Sequence, residues 1–204
     1  MTMAIFAALL AVANVPSQGN AQGTSQFITF DGPPALAPGG RYNVTNYYES
    51  GMTFSPAPGA YAFTRAGAGQ LSFFPDDGSD YVSGPGLMFS FTDGSLFSLI
   101  SVDLAGYSTY VPDLDIEFIG YHPDGSTVTT EFTGSGINFQ TYYFNGLGFS
   151  DLTRVEVPIT PTGWSLDNLE VSLPEPSVSA IFLAGNLALF WQTRRRTNTG
   201  NAQP

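Results

Sequence analysis

From Phe27 to Val171, short runs of Phe, Tyr, Val, Ile and Thr alternate with clusters of Gly, Pro, Asp, Ser and Asn. β-Branched and aromatic side chains suit a pleated, half-buried surface, and the intervening clusters carry turn chemistry. Strands are predicted over 26–30, 51–55, 70–74, 87–92, 96–105, 114–121, 126–133, 137–144, 152–158 and 164–171. Thr92-Asp93-Gly94-Ser95 is a tight connection, and His122-Pro123-Asp124-Gly125 closes a hairpin. Alternation assigns the faces. In 96–105, Ser98, Ile100, Val102 and Leu104 share one side, with Phe97, Leu99, Ser101 and Asp103 on the other. In 114–121, Leu114, Ile116, Phe118 and Gly120 oppose Asp115, Glu117, Ile119 and Tyr121. No stretch here holds a helical period, and no fixed repeat occurs. About ten strands without βαβ spacing predict an all-β, two-sheet antiparallel β-sandwich, with a jelly roll the first choice.

Two apolar runs lie outside this region. Residues 3–13 (MAIFAALLAVA) precede a small, polar stretch with Gly19 and Ala21 placed for cleavage, so 1–21 reads as a signal peptide. Leu173-Pro174-Glu175-Pro176 leads into SVSAIFLAGNLALFW (177–191), and Arg194, Arg195 and Arg196 follow. The two prolines stop the preceding strand and hold Glu175 exposed. The apolar run is expected to be a single transmembrane helix of about 22 Å at 1.5 Å per residue. The arginines set its cytoplasmic end. The chain therefore divides into a signal segment (1–21), an acidic sandwich (22–172), a sorting segment (173–196) and a polar tail (197–204).

Charge changes the picture. The chain has no lysine and no cysteine. Residues 24–173 hold sixteen carboxylates against Arg41, Arg65 and Arg154, a balance of −13 where the whole chain has −11. Such a domain repels phosphate backbones, which excludes nucleic acid as a partner. Without cysteine there are no disulfides or thiolate sites, and the single histidine, His122, sits in a turn. No catalytic triad or nucleophile motif can be assembled. Asp113, Asp115 and Glu117 alternate along one strand about 6.7 Å apart, a spacing open to acid–base work but equally that of any acidic solvent face. Asp76, Asp77 and Asp80 lack the spacing of a calcium loop and read as a solvated turn. Tyr107, Tyr110, Tyr142, Tyr143 and Trp164 lie in or beside turns, where aromatic rings can stack on sugars or fill the core. The chain reads as non-catalytic.

The order Pro174-Glu175-Pro176, short apolar helix, Arg194–Arg196 resembles the PEP-CTERM sorting signal over residues 173–196. The resemblance implies recognition of Pro174, Glu175 and Pro176 by an exosortase-type membrane protease. It also implies export, transient anchoring through the C-terminal helix, and a final place at the cell surface or in the extracellular matrix. Residues 97–104 and 165–171 are similar to strands of the sandwich domains that such proteins carry and of jelly-roll carbohydrate-binding modules. That similarity implies polysaccharide as a second class of partner. It also implies a structural calcium where first and last strands meet, which nominates Asp167 with Asp31 or Glu49. The alternative, that Asp167 bonds a neighbouring loop, stays open.

Overall fold

The computed structural model describes residues 23–174, all of it strand, turn and loop. The signal segment, Glu175, Pro176, the apolar run 177–191, Arg194–Arg196 and the tail lie outside the described residues. Thirteen strands form two antiparallel sheets. They are β1 (Thr24–Ile28), β2 (Arg41–Val44), β3 (Tyr47–Glu49), β4 (Met52–Pro56), β5 (Phe63–Ala66), β6 (Tyr81–Gly84) and β7 (Leu87–Phe91). After these come β8 (Ser98–Gly106), β9 (Asp113–Tyr121), β10 (Thr127–Ser135), β11 (Gln140–Tyr143), β12 (Arg154–Val157) and β13 (Trp164–Leu173). The larger sheet runs β11-β8-β13-β6-β5-β2, and β1 also pairs with β13; the smaller runs β10-β9-β12-β7-β4-β3.

The last eight strands pair from the inside out. The β9–β10 hairpin is the innermost pair, followed by β8 with β11, β7 with β12 and β6 with β13. Successive pairs fall in alternate sheets, so the chain wraps around its own core. The earlier strands widen both sheets: β2 and β5 extend the larger, β3 and β4 the smaller. The ten residues of β13 serve two partners on one edge, β6 along Trp164–Leu166 and β1 along Leu169–Leu173. At the changeover Asn168 takes a positive φ of 46°. Asparagine tolerates this region better than most residues, and the ladder to β8 shifts register there.

Phenylalanine fills the space between the sheets. Phe30, Phe54, Phe89, Phe97, Phe118 and Phe144 are buried. Edge-to-face contacts at 5.1 Å join Phe30 to Phe54 and Phe118 to Phe144, the geometry that the ring quadrupole favours. Truncating one such ring to alanine costs about 3–5 kcal/mol.

The β9 alternation is as expected, with Leu114, Ile116 and Phe118 inside and Asp115 and Glu117 exposed. The β8 faces are not. Phe97, Leu99, Val102 and Leu104 all join the core. Opposite β13, Ser101 pairs with Glu170 and Leu99 with Val171, leaving Ile100 as an extra residue. That irregularity flips the phase of the strand. Residues 70–74 are not a strand but part of the loop joining β5 to β6. Their aromatics stack instead, Phe74 beneath the Arg41 guanidinium and Phe73 beside Tyr110. The strands β2, β3, β5 and β6 had no counterpart in the expected set.

Candidate functional site

The outer face of the larger sheet carries a polar strip. Tyr81 and Ser83 of β6 and Ser165 and Asp167 of β13 are all buried. Segment 67–80 and Phe139 contribute the cover. Phe139 packs edge-on to Tyr81 at 5.5 Å. Arg41 lies 4.1 Å from the Phe74 ring and donates to Tyr81 (3.0 Å) and Ser83 (2.9 Å). Burial pushes the Tyr81 hydroxyl up to about 12, against the opposing pull of Arg41.

Asp167 is held from this loop. The Ser79 hydroxyl lies 2.7 Å from its Oδ2 and 2.6 Å from Asp77 Oδ1. Burial, with a smaller push from Asp77, lifts the Asp167 carboxyl up to about 9, although Ser79 and the Asn168 amide pull it down. At neutral pH it is therefore protonated. Its O–H can then donate to Ser79, whose own O–H donates to Asp77, so three oxygens share two protons without conflict. Beside them, Asn168 Nδ2 donates to Asp103 and Thr141 donates to the other Asp103 oxygen.

Asp31, Glu49 and Asp167 do not form one ligand set. Glu49 accepts from the Phe30 amide (2.9 Å) and the Tyr47 hydroxyl (2.8 Å), bracing the turn after β1. Asp31 accepts from the Asp80 amide at 2.9 Å. Among the described residues, no group of three or more His, Asp or Glu is arranged to hold a metal ion. Each of the three groups instead accepts from nearby backbone or hydroxyl donors, Asp167 from the Asn168 amide. In the turn expected to be solvated, Asp76 and Asp77 are exposed, whereas Asp80 is half-buried. Asp80 reaches the buried Arg65 at 3.4 Å, and Arg65 also donates to the carbonyls of Gly32 and Pro34 while lying 4.1 Å over the Tyr47 ring. Sequence spacing could not find this, because its members come from distant parts of the chain.

The aromatic candidates divide. Trp164 is buried in the core and cannot meet a ligand, because β13 turns it between the sheets. Tyr142 is half-buried against Phe132, with its hydroxyl on the Thr133 carbonyl. Tyr110 and Tyr143 are exposed. Tyr107 lines a cleft of about 360 Å³ at one end of the sandwich, where the 57–62, 85–86 and 158–163 connections meet. Its other aromatic wall is Tyr61, 89% exposed and absent from the expected set. Tyr61 sits in a Pro-Gly connection with no strand pattern around it, so only its exposure marks it.

Asp113, Asp115 and Glu117 line the open side of β9 in a depression of about 530 Å³ that includes Glu131. Glu117 and Glu131 are direct cross-strand partners. A hydrogen bond and charge from Asp115 raise the Glu131 carboxyl above its ordinary value. These carboxylates are exposed side by side on a strand face, and Pro158–Thr162 completes the lining of the depression.

No protein-family model matches the sequence, and comparison with curated proteins returns no match.

Proposed function

We propose that this chain is an exported, non-catalytic surface or extracellular-matrix protein, sorted through a PEP-CTERM signal and built around a jelly-roll domain. The observation that carries the reading is the order Pro174-Glu175-Pro176, apolar 177–191, Arg194–Arg196. The three parts act in turn as an extended acidic recognition element, an apolar anchor and a cytoplasmic stop. The jelly-roll assignment draws support from strand pairs nested inside out and alternating between sheets. It fits this reading that Thr24 and Leu173 are paired and Pro174 is exposed, so the sorting segment follows directly from the last strand. An exosortase-type protease is the partner, and residues 1–21 are the signal peptide that exports the chain.

Replacing Glu175 with alanine should leave full-length protein accumulating in the membrane, as seen by fractionation and mass. Unchanged maturation and location of that variant would end the sorting reading. A second reading, recognition of polysaccharide, is favoured by the Tyr61–Tyr107 cleft. A panel of immobilised polysaccharides tests it, and saturable, sugar-competed binding is its expected outcome.

A further inference from the structure

We infer that the cleft between Tyr61 and Tyr107 is a binding site for a neutral sugar unit of a polysaccharide; this rests on the polysaccharide reading above and gives it a place and a ligand class. Charge is the first argument. The domain carries sixteen carboxylates against three arginines, yet no acid or base lines this cleft. Other clefts of similar size contain Asp93, Arg65 or the four carboxylates Asp113, Asp115, Glu117 and Glu131. The nearby cation, Arg41, lies 5.4 Å from the centroid of the Tyr107 ring but does not line the cleft and is committed to Phe74, Tyr81 and Ser83. A uronate, phosphate or sulfate would find no cation in this lining and a repulsive field around it. A metal ion would find no carboxylate. The remaining chemistry is neutral, with hydroxyls to bond and C–H faces to stack.

The aromatic walls fit that ligand. Tyr61 leaves almost its whole ring in water and makes no aromatic pair among the described residues. A phenol ring exposed beside a concave surface presents the apolar face on which a pyranose stacks. Tyr107 is fixed in place. Phe74 meets it edge-on at 5.9 Å, and Gly163 lets the 160–163 segment approach its ring. A Cβ at Gly163 would stand 3.3 Å from Tyr107 Cδ2, and the φ of 71° there also favours glycine. In the same lining, Asn43 accepts the Thr64 hydroxyl at 3.0 Å through Oδ1. That bond orients the carboxamide and leaves the Nδ2 hydrogens for a sugar hydroxyl. At about 360 Å³ the cleft lies near the lower end of the usual range for small-ligand sites.

The test uses the full-length protein in a zwitterionic, sugar-free detergent. Immobilised neutral glucans, galactans and mannans are compared with alginate and polygalacturonate. At least one neutral polymer should bind saturably, with the acidic ones weaker. Tyr61→Ala and Tyr107→Ala should each lower that affinity about tenfold or more, the size expected for losing a stacking ring. Tyr110→Ala, outside the cleft, should leave it unchanged. The melting temperature of Tyr61→Ala should match the parent, since an exposed ring contributes little to the core. Neutral-polymer binding that survives both cleft variants would overturn this site while sparing the polysaccharide reading. Preference for the acidic polymers would overturn the ligand class, and binding to none would overturn both site and reading.

Discussion

Burial removes the Asp167 carboxyl from water beneath segment 67–80, and desolvation penalises its charged form more than its hydrogen bonds favour it. With a folded pKa of about 9 and an unfolded value near 3.8, the folded state keeps a proton that the unfolded state releases. Stability from this group is complete below about pH 4 and declines as pH rises towards 9, with a slope approaching about 1.4 kcal/mol per pH unit. Asp167→Asn removes the ionisation and keeps a hydrogen-bonding group of the same shape. Thermal unfolding between pH 4 and 9 should therefore show the variant gaining on the parent steadily and exceeding it at pH 8. Parallel curves would mean that Asp167 is ionised in the fold. Asp93 and Asp124 behave oppositely: Ser95 and Ser126 lower their values, so their small contributions fade on acidification. These two turns are readable in sequence because donor and acceptor are two residues apart. The Asp167–Ser79 bond spans eighty-eight positions, and nothing local in PDDGSD announces it.

Elements with one clean period were legible, and elements with a defect were not. β9 alternates without interruption, so its inward and outward residues follow from counting. β8 contains the irregularity at Ile100, and counting through it assigns Leu99 to the wrong face. The unexpected strands β2, β3, β5 and β6 have three or four residues each, too few to display a period. Their identity comes from the ladders they join. β10 is nine residues long, the edge of its sheet, and pairs Glu131 with Glu117 across the ladder. Like charges at directly opposed positions destabilise a strand pair. The raised Glu131 value has the same sign: stability is retained while the group is protonated and lost as pH rises through its folded pKa. Glu131→Gln should therefore raise the melting temperature at pH 7 and leave it unchanged at pH 3. A loss of stability at pH 7 would show that Glu131 makes a favourable contact instead.

Among the described residues, Arg41 and Arg65 are drawn into local structure and the exposed Arg154 stacks on a tyrosine, so carboxylates dominate the surface. Arg65 is buried, Arg41 is enclosed by Phe74 and Tyr107, and Arg154 lies 3.9 Å over the Tyr121 ring. Arg65 makes the only salt bridge among the described residues, so the charge imbalance is spread rather than paired away. Composition alone shows the excess of acid; which arginines remain available to offset it depends on tertiary packing. Self-repulsion on this scale favours expanded states and is relieved by screening. Raising sodium chloride from 10 to 150 mM shortens the Debye length from about 30 to 8 Å, enough to decouple carboxylates on opposite faces. The melting temperature should rise across that range, before salt-specific effects on apolar surface dominate. The gain should be smaller at pH 4, where part of the charge is neutralised. A flat or falling curve at pH 7 would mean that the carboxylates are locally compensated, by bound cations or by donors such as those around Asp31 and Glu49.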